Sequence, residues 1–442
     1  MKILTFPGGI HPPYNKDISI GEALRTAPPP ETAIVPLSQH IGAPCRPAVT
    51  KGDEVSEGQV IGESPSFVSS LVHSPVSGKV QDIKKAFHPA LGYTEAVFIE
   101  RDPGKEPLKY TSCDSEDLTQ KELIEKVKKA GIVGMGGAAF PTHVKLSVPE
   151  GKNIENLIIN GAECEPYLTC DHILMTRKSA EIIKGIEILI RVLEPKNTYI
   201  AIEDNKKAAI FAFEKLIRES TRKEISAARV VPLETKYPQG GEKQLIKAIS
   251  GKEVPPGGLP LDIGFLVQNV GTALAIHEAV EYDKPLIERV VTLSGDCLER
   301  PGNYHMRIGT TVKEIVEKLG IEFRQDPKKI IFGGPMMGIA QPGTEVPVLK
   351  NTSGILFLSE STAKDLEEKP CIRCAKCVDV CPVNLMPTEI MRNVKARRWE
   401  EAEALNVQDC MECGCCTYTC PARIPLVQYI KEGKTALLKK RK

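Results

Sequence analysis

The chain has 442 residues, a formal charge of +1 and a pI near 7.5, a balance in which nothing argues for a nucleic-acid partner. At roughly 150 residues per domain this length holds about three domains. No run of about 18 apolar residues occurs, and MKILTFPGG breaks at Pro7-Gly8 before a signal-peptide core can form, so the expectation is a soluble, intracellular protein.

Residues 1–110 are rich in proline and glycine, with short Val/Ile segments split by turns, as in VTKGDEVSEGQVIGE and VHSPVSGKV; this predicts a compact all-β unit. From about 115 to 285, helical and extended patterns alternate. LTQKELIEKVKKA is helical and NLIING extended, and the next helix carries Ile182, Ile183, Ile186, Leu189, Ile190 and Leu193 on one face. TYIAIED is extended, KKAAIFAFEKLIRES helical with Ile210, Phe213, Leu216 and Ile217 on one side, and ARVVPLE extended. Such alternation predicts βαβ units around a mainly parallel sheet. RVVTLSGD, TTVKEIVEKLG and KKIIFGG then suit a small α+β module.

Fourteen cysteines in a reducing compartment point to metal rather than disulfides, because most fall after Lys364. Cys371, Cys374, Cys377 and Cys381 follow C-x2-C-x2-C-x3-C-P, and Cys410, Cys413, Cys416 and Cys420 repeat the run, each 39 residues after its counterpart. This is the bacterial ferredoxin spacing, in which three thiolates hold one 4Fe-4S cube and the fourth reaches the other. One cluster is assigned to Cys371, Cys374, Cys377 and Cys420, the other to Cys410, Cys413, Cys416 and Cys381. Zinc would leave the third thiol of each triplet and the trailing Cys-Pro without a purpose. Cys415 reads as a bystander, and Cys45, Cys113, Cys164, Cys170 and Cys297 as small buried hydrophobes. The segment PTEIMRNVKARRWEEAEAL between the runs is predicted to be one helix opened by Pro387.

Clusters pass single electrons and hold no substrate, so another part of the chain must meet a diffusing donor. The glycine-dense stretch GIVGMGGAAFPTHVK (131–145) is the candidate. A dinucleotide fingerprint needs a strand before the first glycine, yet ELIEKVKKAG is helical; a P-loop needs Gly-Lys-Ser/Thr, which is missing. Two readings remain: a flexible hinge, or a nest of backbone N–H groups around Gly134, Gly136, Gly137 and Ala138 aimed at a phosphate, with Lys145 adding a cation.

This stretch resembles the glycine loop of the flavin subunit of respiratory complex I and of related NAD-linked hydrogenases and formate dehydrogenases. The likeness continues through LIINGAECEP (Asn160, Glu163, Glu165, Pro166), YPQGGEKQL (Gly240, Gly241, Glu242) and VQNVGTALAI (Gln268, Asn269, Thr272). It implies an FMN site that also takes NADH: Phe140 near the stacked rings, the glycine loop and Lys145 on phosphate, Glu163 and Glu165 toward ribose or amide groups, and Gln268 and Asn269 toward the flavin edge. Glu165-Pro166 ahead of a helix could instead favour that helix's N-terminus, and the two amides could satisfy nearby backbone. Ala162 stands where that family has an acidic residue, and GGEKQL keeps only part of its counterpart.

With FPGGIHPP at the start, SPVSGKV in the β unit and the paired ferredoxin run, the whole chain is similar to the C subunit of the Rnf complex, a membrane-bound oxidoreductase of ferredoxin and NAD. The resemblance implies a multidomain α/β architecture: an N-terminal barrel-sandwich hybrid (1–110), an α/β FMN/NADH-binding domain (111–288), a β-grasp module (289–350) and a C-terminal helical two-cluster ferredoxin segment (361–442). Lys79 reads as a surface residue, because SPVSGKV lacks the methionines that flank a carrier lysine. Implied cofactors are FMN and two 4Fe-4S clusters with NAD(H) as substrate; implied partners are the complex's other subunits, among them a ferredoxin-like one. The implied place is the cytoplasmic face of the bacterial membrane, held peripherally, with ion pumping left to spanning subunits. Two other readings stay open: a flavin and iron-sulfur cobalamin reductase, and a non-catalytic electron wire or assembly scaffold.

Overall fold

The computed structural model describes residues 3–364 and 367–440. The short Val/Ile segments of the first quarter pair into two small antiparallel sheets: Thr32–Pro36, Gly92–Arg101, Gly78–His88 and Glu54–Val55 in one, Arg46–Pro47, Val60–Glu63 and Val72–His73 in the other. Alternate side chains, Ala33, Val35, Ile61, Val72, Val97 and Ile99, close a core between them. Lys79 is exposed, opposite Glu100, while a Cβ on Gly78 would lie 2.0 Å from the Glu100 carbonyl oxygen; the glycine serves a close backbone approach.

Residues 3–27 lie outside this sandwich. Leu4 bridges Leu233, Ile10 bridges Tyr237, Gly9 donates to the Val380 carbonyl at 2.9 Å, and Leu24–Thr26 pairs in parallel with Gly302–Arg307.

The alternating segments build a four-stranded parallel sheet in the order Arg229–Leu233, Asn197–Glu203, Asn156–Gly161, Phe265–Asn269. The Ser179–Leu193 and Lys207–Glu219 helices bury the apolar faces expected of them: Ile182, Ile186, Leu189 and Phe213 are inaccessible to solvent. Thr119 and Glu122 form a reciprocal capping box that opens the Gln120–Lys129 helix. Chain order steps outward on one side of Asn156–Gly161 and returns on the other with Phe265–Asn269. The topological switch point therefore falls between these two strands, where Asn160 and Asn269 stand opposite each other at the carboxyl ends.

The α+β module centres on Glu288–Ser294, antiparallel to Gly302–Arg307 and parallel to Gly354–Leu358, which in turn pairs with Lys329–Phe332; the Val312–Lys318 helix belongs to it. Its central strand Gly354–Leu358 lies past residue 350 and is wholly buried.

The ferredoxin segment repeats its backbone as well as its cysteines. The helices Lys376–Asp379 and Cys415–Tyr418, the helix starts Pro387 and Leu426, and the left-handed residues Arg373, Ala375 and Asn384 with Glu412, Gly414 and Arg423 all match at 39 residues. The single helix expected after Pro387 is instead two, Pro387–Lys395 and Trp399–Ala404. Arg397, left-handed at φ 56°, donates to the Val394 carbonyl and Arg398 to that of Asn393, a Schellman stop made without glycine. Among the described residues no helix is long and apolar enough to cross a membrane.

Candidate functional site

The glycine stretch forms a turn over the switch point. Gly134 donates to the Phe140 carbonyl at 2.9 Å and closes the loop; Met135 donates to the Thr272 hydroxyl at 3.0 Å and pins it to the sheet. A Cβ on Gly136 would meet Asn269 at 2.9 to 3.1 Å, so only glycine allows this approach, whereas Gly137 faces open space. The backbone N–H groups of Gly136, Gly137 and Ala138 donate to no acceptor among the described residues, and all three residues are exposed.

The residues predicted around this loop divide into those that face it and those that support it. Lys145 ion-pairs with Glu242 at 2.8 Å and donates to the Val267 carbonyl at 3.1 Å. Asn160 donates to the Gly240 carbonyl at 2.9 Å and accepts from the Ala162 N–H at 3.0 Å. Gly240 lies where a Cβ would sit 2.4 Å from the Ala162 carbonyl oxygen. Asn269 caps the Val270–Tyr282 helix, accepting from Gly271 at 2.8 Å and donating to Asp171 at 2.7 Å. Gln268 is buried with its Nε2 unpaired.

The two glutamates point away from each other. Glu163, buried, accepts from the Asp171 N–H at 2.8 Å and the His172 N–H at 3.4 Å, so it is Glu163 rather than Glu165 that stands at the N-terminus of the Cys170–Arg177 helix. Lys16, carried in by the leading segment, lies 3.8 Å from its carboxylate. Burial, then the Glu163 charge, lifts the Asp171 carboxyl to about 6. Glu165 reaches into the α+β module and accepts from the Met336 and Met337 N–H groups at 3.0 and 2.8 Å. Burial lifts its carboxyl to about 7 against the pull of those two donors.

The eight cysteines line two cavities. One is bounded by Cys381, Cys410, Cys413 and Cys416 together with Cys415; the other by Cys371, Cys374, Cys377 and Cys420. Cys415 apart, the structure brings together the residues that the ferredoxin spacing assigns to each quartet. Backbone donors reach the thiols in matching places: Arg373 to Cys371 at 3.4 Å and Glu412 to Cys410 at 3.3 Å.

Sequence reasoning passed over the residues that join loop and cysteines. Tyr237, buried ahead of Gly240-Gly241, donates its hydroxyl to the Cys413 carbonyl at 2.8 Å. Cys164 accepts from the Gly240 N–H at 3.3 Å, and Ile10, Cys164, Tyr237, Cys413 and Cys415 pack as one apolar cluster. Gln244 donates to the Pro382 carbonyl at 3.3 Å, and Met411 packs against Gly241. YPQGGEKQL carried the signal in its first residue: an aromatic with a polar tip has to find a partner when buried.

Residues 127–278 match the family described as Nuo51 FMN-binding domain, 4–104 the RnfC barrel sandwich hybrid domain, 290–340 the SLBB domain and 364–421 the 4Fe-4S dicluster domain. The four components of the expected architecture are borne out. The chain is 46% identical to the C subunit of the proton-translocating ferredoxin:NAD(+) oxidoreductase complex of Clostridium ljungdahlii, over 97% of this chain and 93% of that one. It is 44% identical to the counterpart from the Na(+)-translocating complex of Acetobacterium woodii, over 99% and 98% of the two chains. The C subunit of the ion-translocating oxidoreductase complex of Pseudomonas aeruginosa is 42% identical over 99% of this chain and 56% of its own length.

Proposed function

The chain belongs to the family of C subunits of ion-translocating ferredoxin:NAD(+) oxidoreductase complexes, and from that premise we propose that it is the peripheral subunit at which NADH exchanges electrons with FMN, two 4Fe-4S clusters and a ferredoxin-like neighbour. Its place is the cytoplasmic face of the membrane, with ion movement in partner subunits.

The residues fit both kinds of group. Each cavity offers the four thiols of one quartet, with Cys415 beside the second, and backbone N–H groups already turned toward sulfur. The glycine turn offers three unengaged N–H groups at the switch point of a parallel sheet, with an unpaired buried amide, Gln268, at the end of the adjoining strand. FMN supplies the conversion between the paired electrons of a hydride and the single electrons that a cluster carries. The chain's own work is to grip phosphate with the turn, keep the turn in register through Thr272 and Asn269, and set Lys145 and Glu242 at its edge. Asn160, Glu163, Gly240 and Gly241 shape the floor.

The observation that carries this reading is the contact of Tyr237, from the domain of the glycine turn, with Cys413. It sets one cysteine quartet against that domain and leaves the other facing outward, an entry and an exit for electrons in either direction.

Anaerobically purified protein is expected to release one FMN per chain on acid extraction and to hold about eight irons. It should reduce ferricyanide with NADH. Protein that takes up iron but neither flavin nor NADH electrons would overturn the reading in favour of a scaffold; cobalamin reduction without co-purifying integral subunits would favour the cobalamin enzyme.

A further inference from the structure

The two copies of the ferredoxin repeat meet different surroundings at equivalent positions. In the second copy Met411 packs on Gly241, Glu412 pairs with Lys434 at 2.6 Å, and Cys415 is fully buried against the Tyr237 carbonyl. The matching positions of the first copy, 39 residues earlier, are Ile372, Arg373 and Lys376, and they line the cavity of the first quartet. Ile372 is 68% exposed, and Cys374, Arg373 and Lys376 are exposed as well, as is Arg423, which follows the lining residues Cys420, Pro421 and Ala422. No carboxylate among the described residues lies within ion-pair reach of Arg373, Lys376 or Arg423, and Glu368 is taken by Lys395. Where the second copy is covered by the flavin-type domain, the first offers an apolar side chain, a cluster ligand and three unpaired cations to solvent.

We propose that this face, Ile372, Arg373 and Lys376 beside Cys374 with Arg423 next along the chain from the cavity's Cys420, Pro421 and Ala422, is the docking surface for an acidic protein that carries its own redox centre. The proposal deepens the electron-transfer reading and rests on it. The occupant's charge follows from the uncompensated cations, since complementary potentials steer association and fix register. Its redox character follows from the site: Arg373 and Lys376 line the same cavity as Cys374, the one thiol of the eight that is exposed. A lipid headgroup would use the charges but leave the exposed cluster ligand without a role.

The test uses the full holoprotein and a small acidic two-cluster ferredoxin as the probe. Lys376→Glu and Arg423→Glu, each with iron content checked, should weaken ferredoxin binding to the dithionite-reduced protein and slow the oxidation of reduced ferredoxin by NAD(+) by about tenfold or more, with the parent's salt dependence flattened. In Arg423→Glu, which lies outside that lining, NADH:ferricyanide activity should be unchanged. Should Lys376→Glu lose iron, Arg423→Glu decides. Unaltered ferredoxin affinity and rate would overturn the proposal, as would variants that lose only binding to anionic vesicles or only self-association. Failure of NADH to reduce the parent overturns the functional reading instead, while the binding measurement still judges the surface.

Discussion

The first and second halves of the ferredoxin segment share cysteine spacing, helix starts and left-handed turn residues, yet they end in different environments. Cys374 is exposed where its counterpart Cys413 is buried, and exposed Lys376 corresponds to Cys415, which solvent does not reach. Local sequence dictates the grip on the metal; the neighbours dictate the solvent around it. Because burial and hydrogen bonding to the ligands tune cluster potentials over a wide range, two clusters with the same ligand spacing are expected to differ in potential here.

The largest expected contrast comes from removing one ligand from each half. Cys413→Ser and Cys374→Ser should each drop iron from about eight to about four per chain. Only Cys374→Ser should leave a cluster that NADH reduces, as followed by low-temperature electron paramagnetic resonance; equal behaviour of the two would break the comparison. Gly136→Val should empty the flavin site, because the new side chain meets Asn269, while leaving iron intact, so that flavin and metal contents separate. Ile390, fully buried, and Tyr429, its counterpart 39 residues on, sharpen the contrast in stability. Ile390→Ala should cost about 2–5 kcal/mol in denaturant unfolding of the holoprotein. Tyr429→Phe loses only an exposed bond to Glu368, worth about 1 kcal/mol or less.

Tyr237→Phe should fall between these, about 1–3 kcal/mol for the buried Cys413 carbonyl it strands, and should shift the potential of the buried cluster alone in a redox titration. The smallest effect concerns Glu165, beside the same half through Met336. Its carboxyl titrates near 7 when folded against 4.5 ordinarily, so between those values the folded state holds the extra proton and stability falls as pH rises. Glu165→Gln should flatten that slope in melts taken from pH 4.5 to 7.

The cysteine partition was legible because ligand spacing is a local property of the chain, and the strands NLIING, TYIAIED and ARVVPLE because their apolar runs are bounded by turn signals. Residues 265–269 were noticed for their amides and missed as a strand: VQN ends in the asparagine that caps the next helix, so the strand signal is short. Gly354–Leu358 is a plain apolar run whose central place in a sheet depends on partners up to 62 residues away, as in Thr292 against Gly354. The break at Arg397 lacks the glycine that marks most helix stops. The roles of Tyr237 and Glu165 were hidden for a different reason: each is fixed by a segment distant in sequence, Cys413 or Met336, and pairings of that kind leave no periodicity to read.

The leading segment ties residues ahead of the β sandwich to the ferredoxin repeat. Gly9 donates to Val380, and a Cβ on Gly8 would press on the Cys381 carbonyl, so residues translated before the sandwich find their seat only after the cysteine-bearing residues have emerged. On the ribosome Leu4 and Ile10 can wait against the parallel sheet, but their last contact requires the metal-binding turns. Docking of this strap thereby becomes a late step of maturation, and a chain that has not yet acquired its inorganic cargo is expected to betray itself to proteases in the strap rather than in the sandwich that follows it.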